Sequence, residues 1–173
     1  MNIDNFAYIV ETKKSLDDAV ISVLKAVEQK GWALFQIYDI KERLAVKGFT
    51  QKPLKIIEIC SGKYANQLLN KNRLISLCMP CKINVLEEDG KVKIIGMNPK
   101  IMSKFFPEIS EQEAKEVEKD IKEIINNAKW ENTKGSKLNK SLKIENIKFK
   151  RAEIRLLKWI KIKISLNMNL QEF

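Results

Sequence analysis

Histidine is absent from the 173 residues of the chain, which removes imidazole from its chemistry. The chain therefore has no His-paired Ser or Cys nucleophile, no His-ligated metal and no side chain whose ordinary pKa lies near neutrality. Catalysis would have to rely on Cys, Asp, Glu, Lys or Tyr. The sequence favours a protein that is not an enzyme, and we identify no catalytic residue in it.

The sequence also lacks the segments that direct a chain to or across a membrane. Its start, MNIDNFAYIV, has no basic residues followed by an apolar run, as a signal peptide would, and no stretch approaches the ~18 consecutive apolar residues of a membrane span. These absences predict a cytoplasmic protein. Because thiols stay reduced in that compartment, the three cysteines predict no disulfide framework.

Positive charge is concentrated at the C-terminal end. Residues 129–173 contain twelve Lys or Arg and four Asp or Glu, a net charge of +8 out of +10 for the whole chain. Residues 1–128 are therefore close to neutral. This contrast predicts a domain at 1–128 and a basic C-terminal extension at 129–173.

The extension contains two patterns. Apolar and polar residues alternate strictly from 160 to 170, which predicts a β-strand whose apolar face is covered by the domain's own sheet or by a second chain. Its basic residues are candidate contacts for an anionic partner, either nucleic acid or a membrane surface, although lysine-rich stretches are more often a solvated charged surface. These candidates are Lys148, Lys150, Arg151, Arg155, Lys158, Lys161 and Lys163.

Hydrophobic periodicity in residues 1–128 predicts the order β-α-β-β-α-β-β-α. A helix begins at Ser15 and stops at Gly31, a second spans 63–70 after Ser61, and a third begins at a capping box formed by Ser110 and Glu113. The predicted strands are 6–12, 32–40, 54–60, 74–88 with a bend at Pro80, and 92–97. Residues 41–52 are predicted to be a charged connection.

Cys78 and Cys81, in the stretch LCMPCKI, have the spacing of a redox or zinc motif. On a strand, however, residues three apart point to opposite faces and their Cα atoms lie ~10 Å apart, too far for a disulfide. A zinc site would need two further ligands, and the sequence has neither a second such pair nor a histidine. We therefore predict neither a redox pair nor a metal site here, and no cofactor.

Cys60 and Cys81 form a different candidate pair. Cys60 ends a buried strand just before a predicted helix N-terminus, a position that favours a thiolate, and Cys81 follows Pro80. We expect these two cysteines to lie close together and Cys78 to point away from both. The alternative is that both are small buried hydrophobic residues, as unpaired cysteines commonly are.

Several segments of residues 5–128 resemble the domain of unknown function 302 family. They include KIIEICSGKYANQLL and LCMPCKINVLEEDGKVKIIGMNP. Cys60, Pro80 and Cys81 match the family pattern, whereas Cys78 is an addition and Ser61 stands where the family has a proline. The resemblance implies an α+β fold like that of TATA-box-binding protein, a curved antiparallel sheet with helices on one face. It also implies dimers, but no established reaction.

The functional prediction is a dimeric ligand-binding or interaction module that takes a small molecule or thiol compound. Two alternatives remain open. The first is a thiol- or persulfide-handling protein that uses Cys60 and Cys81 as its site. The second is binding of nucleic acid or a membrane surface through the basic extension.

Overall fold

The computed structural model describes residues 6–130. The strand predicted at 160–170 and the seven basic candidates of the extension lie outside the described residues. The described strands are β1 (Ala7–Thr12), β2 (Ala33–Asp39), β3 (Leu54–Cys60), β4 (Cys81–Glu88) and β5 (Lys91–Met97). The helices are α1 (Leu16–Gln29), α2 (Ile40–Ala45), α3 (Gly62–Lys71) and α4 (Glu111–Lys129), with two 3₁₀ helices at Arg73–Cys78 and Pro99–Lys104.

The five strands form one open sheet in the order β1-β5-β4-β3-β2, and every neighbouring pair is antiparallel. Asp89 and Gly90 join β4 to β5 and both have positive φ, 53° and 70°. This is the backbone that a two-residue hairpin of type I′ requires. The predicted α+β class, with an antiparallel sheet and helices packed against it, is confirmed.

Helices α1 and α4 pack against the same face of the sheet and against each other. Alternate residues of the central strands point into this layer and are buried, while the intervening residues are not. We call the result the main core. Its largest fully buried side chains are Val23, Val27, Ile57, Ile59, Ile83, Val85, Ile94, Ile121, Ile124 and Ile125.

Side-chain caps fix the starts of both long helices, as the sequence predicts. Ser15 accepts a hydrogen bond from the Asp18 amide at the start of α1. At α4, Ser110 and Glu113 form the complete capping box. Lys71 of α3 also binds Glu113, with Nζ 2.7 Å from a carboxylate oxygen. Lys71, together with Ser110, lowers the pKa of Glu113 to about 2, so this carboxylate joins α3 to α4 at neutral pH.

A smaller hydrophobic cluster, which we call the second core, lies where α3, the two 3₁₀ helices and the start of α4 meet. Its buried residues are Leu68, Ile75, Met102, Ile109 and Ala114, with Cys78, Met79 and Phe106 packed against them. This cluster connects the segments on either side of the β4–β5 hairpin. It therefore positions the residues that lead into β4.

Two predicted segments differ from the structure. Residues 74–88 are not one strand: 73–78 form a 3₁₀ helix, the Met79–Pro80 peptide is cis, and the strand begins only at Cys81. The Asn72 side chain accepts a hydrogen bond from the Leu74 amide at 2.9 Å, which starts the 3₁₀ turn. The predicted connection at 41–52 contains the short helix α2, which Asp39 caps through the Glu42 amide. Local side-chain caps of this kind override strand propensity.

The sheet face opposite α1 and α4, which we call the open face, contains no buried residue among the described strands. Apolar side chains such as Ile9, which is 43% exposed, are mixed there with charged ones. Three cross-strand ion pairs lie on this face: Lys91–Glu11 (2.8 Å), Lys93–Glu88 (2.6 Å) and Lys82–Glu58 (3.8 Å). None of the helices within residues 6–130 is both long and apolar enough to cross a membrane.

Gly96 is where α4 comes closest to the sheet. A Cβ atom at this position would lie 2.7 Å from Cδ1 of Ile125 and 2.9 Å from Cγ2 of Ile121. Real Cβ atoms do not approach other carbons so closely, and both isoleucines are buried. The absence of a side chain at Gly96 is therefore what allows α4 to pack on β5.

We predict that Gly96→Ala lowers the free energy of unfolding by about 1–3 kcal/mol, because the added methyl group overpacks the main core. Gly62→Ala is the matched control: a Cβ there meets nothing within 4 Å, so a change under about 0.5 kcal/mol is expected. Chemical denaturation of both variants measures the difference. Equal stability of the two would show that α4 shifts freely over β5.

Candidate functional site

A small cavity of about 20 Å³ lies where the main core meets the second core. One part of its wall belongs to the main core and the residues packed on it, the other to the second core. The lining residues from the first are Trp32, Tyr64, Cys81 and Val117; those from the second are Leu68, Cys78, Met79 and Met102. Cys60, Ser61 and Ala65 complete the wall.

The structure brings Cys60 and Cys81 to this one cavity. β3 and β4 are antiparallel, and Ile59 stands opposite Cys81, so the last residue of β3 adjoins the first residue of β4. Pro80 itself does not line the cavity, but both of its neighbours, Met79 and Cys81, do. The expected proximity of the two cysteines at adjacent strand ends is therefore seen.

Cys78 also lines the cavity, and the expectation that it points away from the other two cysteines is wrong. That expectation assumed a continuous strand in which residues 78 and 81 have opposite directions. Because residue 78 ends a 3₁₀ helix instead, strand alternation does not apply to it. All three cysteines of the chain are free thiols, and all three contribute to this wall.

Burial favours the protonated form of Cys60 and Cys81. Burial raises the pKa of Cys60 above its ordinary value of 9.0. It raises the pKa of Cys81 to about 11, with the neighbouring Cys60 and Cys78 adding to the effect. Ser61 occupies the N-cap position of α3 but makes no capping hydrogen bond. The helix N-terminus was expected to lower the pKa of Cys60 and favour a thiolate. Desolvation raises that pKa instead, and it is the larger effect.

An aromatic pair, Trp32 and Tyr64, lines the cavity and is tied to α4 by a hydrogen bond. The rings of Trp32 and Tyr64 are 6.1 Å apart and tilted by 59°. Trp32 Nε1 donates to Asp120 at 3.4 Å, and Asp120 also pairs with Lys30 at 3.1 Å. Burial, followed by the negative charge of Asp120, raises the pKa of Tyr64, so its hydroxyl is neutral as well.

The cavity wall contains no group that would activate a thiol. None of the side chains that line it is charged, so no base among them can take a proton from a thiol. Neutral thiols are weak nucleophiles, because the thiolate is the reactive form. Within residues 6–130, no three side chains of the types His, Cys, Asp and Glu are grouped as ligands of one metal ion.

The sequence did not reveal most of this wall. Trp32, Met79 and Met102 were not candidates, because each comes from a segment whose contacts are set by tertiary packing. Met102 reaches the cavity from the 3₁₀ helix after β5, about twenty residues from the cysteine segment. The available signals were Cys60, at the end of a predicted strand, and the proline–cysteine step at 80–81, which marks where the chain enters β4.

Comparisons with known proteins give the same architecture. The sequence model of the family described as "Domain of unknown function DUF302" matches residues 8–128. The crystal structure of an uncharacterised conserved DUF302 protein from Bacillus stearothermophilus superposes with a TM-score of 0.67 at 24% identity. The superposition covers 71% of this chain and 98% of that one. No curated protein matches the chain.

We predict that iodoacetamide alkylates Cys81 slowly in the folded protein at pH 7. The rate should rise about tenfold per pH unit and should still be rising above pH 9, because the thiolate fraction grows until the pH reaches the pKa. Peptide mass spectrometry after timed quenching measures the rate at each cysteine. In the urea-denatured control the rate should level off near pH 9. A folded-state rate that levels off near pH 7 would contradict the raised pKa.

Proposed function

The chain belongs to the DUF302 family, and we propose that it is a binding protein whose ligand occupies the cavity between the two cores. The observation that carries the proposal is the convergence of three free thiols on one apolar cavity. A few polar groups placed in a mostly apolar wall are the usual arrangement of a ligand site. Here those groups are the thiols and the hydroxyls of Ser61 and Tyr64.

Binding is favoured over thiol catalysis by the protonation state of the site. Enzymes that use a cysteine nucleophile lower its pKa with a neighbouring base or positive charge. Cys60 and Cys81 have pKa values that burial raises, and no charged side chain lines the cavity. Thiol or persulfide transfer would need an activating group that the wall does not contain.

The size of the cavity limits the ligand. Drug-sized organic ligands occupy pockets of about 300–1,000 Å³, whereas a space of about 20 Å³ corresponds to little more than one water-sized sphere. The site as it stands therefore suits an ion or a very small molecule. A larger ligand would require the second core to move away from the main core.

Xenon tests whether the cavity takes a ligand, because this single apolar atom enters dry cavities without using thiol chemistry. We expect xenon pressure to shift the NMR signals of the Met79 and Met102 methyl groups in a saturable way. Ala65→Leu should abolish the shifts by filling the cavity, since Ala65 lines it. Asn66→Leu, on the adjacent exposed position, is the control and should preserve them. Unshifted methyl signals in the unmodified protein would overturn the proposal.

A second function, self-association, is supported by the open face. This face combines half-buried apolar residues with both lysines and carboxylates. Two copies of the chain could therefore place the lysines of one copy opposite the carboxylates of the other. An interface with an apolar centre and a polar rim has this composition. The proposed partner is a second copy of the chain.

Ile9→Lys tests self-association. We expect it to weaken a dimer by at least about tenfold, because it inserts a charge in the apolar part of the open face. Ile21→Lys on the outer side of α1 is the matched control, since Ile21 is 37% exposed and Ile9 is 43% exposed. Sedimentation of the full chain over a range of concentrations gives the dissociation constants. A protein that is monomeric throughout, or variants with equal constants, would refute an interface at this face.

A further inference from the structure

Sulfur is unusually concentrated around the cavity. The chain contains three cysteines and five methionines. All three cysteines and two of the methionines, Met79 and Met102, line this single space. Of the remaining methionines, Met97 lies on β5, where it pairs with Ala7. Five of the eleven lining residues therefore present a thiol or a thioether.

Sulfur ligands select particular metal ions. Thiolates and thioethers are soft, polarisable ligands, and they favour Cu(I), a soft ion, over the hard ions Mg²⁺ and Ca²⁺. The cavity offers no imidazole and no carboxylate, the ligands that most other protein-bound metals use. Its only oxygen-bearing side chains are the neutral hydroxyls of Ser61 and Tyr64.

The number of ligands available also distinguishes between metal ions. Zinc takes four ligands in a structural site, and the described residues do not group even three Cys, His, Asp or Glu side chains for one ion. Cu(I) differs because two or three sulfur atoms satisfy it and thioethers count among them. A low-coordinate ion is thus the one that this set of side chains can hold.

Charge and volume agree with a single monovalent ion. A charge in an apolar space is costly unless it is neutralised there. One Cu(I) ion with one thiolate and thioether ligands forms a neutral group, whereas a divalent ion with the same ligands would remain charged. The space of about 20 Å³ has room for one ion and little else.

We propose that the cavity is a Cu(I) site in which Cys81 supplies the thiolate and Met79 and Met102 supply thioether sulfur atoms. The proposal rests on the proposed ligand-binding function and names the class of ligand. Binding breaks the S–H bond of Cys81 and forms an S–Cu bond, and the proton passes to solvent. Copper arrives and remains as Cu(I), so no electron is transferred.

Cu(I) titration of the full chain under anaerobic conditions, against a coloured Cu(I) chelator, measures stoichiometry and affinity. We expect one ion per chain and X-ray absorption that shows sulfur neighbours only. Met102→Leu should weaken binding by at least about tenfold, since even indirect partners of a metal site contribute that much. Met97→Leu, which removes a thioether outside the cavity, should leave the affinity unchanged. Cys81→Ala should abolish tight binding.

The comparison of Met102→Leu with Met97→Leu is independent of the affinity of cysteine thiols for copper, because both variants retain all three cysteines. Equal Cu(I) affinity in Met102→Leu and Met97→Leu would overturn the proposal and indicate copper held by thiols alone. Circular dichroism of each variant checks that it folds, and if Cys81→Ala does not, Met79→Leu provides a second thioether variant with the same expectation. Xenon shifts without tight copper binding would refute the Cu(I) site and leave the ligand-binding function standing. Absence of both would refute the two together.

Discussion

The antiparallel pairing of β3 with β4 is the constraint on which both the fold and the site depend. It places Ile57 opposite Ile83 in the main core and Ile59 opposite Cys81 at the end of the ladder. Because the two strands run in opposite directions, the last residue of β3 lies beside the first residue of β4, at the same end of the sheet. From that end, β3 continues into α3, and the chain reaches β4 from the 3₁₀ helix at 73–78. The cavity is the space left where these segments diverge.

Regular elements were predictable because their signals are local. Ser15 and the Ser110–Glu113 pair mark helix starts that the structure confirms within the same residues. Where the prediction was wrong, at residues 74–80, the chain has strand-like composition, but Asn72 caps a 3₁₀ turn through the Leu74 amide. Because residues 73–78 form a 3₁₀ helix and not a strand, Cys78 lines the same cavity as Cys81.

The site was predictable only in part, because several of its residues are brought to the cavity by tertiary packing. Cys60 and Cys81 could be paired because Cys60 ends a predicted strand and Cys81 follows the predicted bend at Pro80. The contributions of Trp32, Met79 and Met102 could not be foreseen, because they depend on how the second core packs against the main core. The protonation state was misjudged for a related reason. The helix N-terminus is visible in sequence and favours a thiolate, but the burial that opposes it exists only once both cores have formed.

Gly96 has a consequence for the alignment of the sheet as well as for packing. Side chains on β5 alternate between the two faces, so a slip of one residue against β1 and β4 would exchange their positions. Ile95 or Met97 would then lie beneath Ile121 and Ile125, where even a methyl group meets carbon atoms at 2.7 and 2.9 Å. The same slip would separate Lys91 from Glu11 and Lys93 from Glu88. The packing of α4 over Gly96 thus excludes the shifted pairings. The sheet has a single alignment because Gly96 is the only residue of β5 small enough to lie directly beneath Ile121 and Ile125.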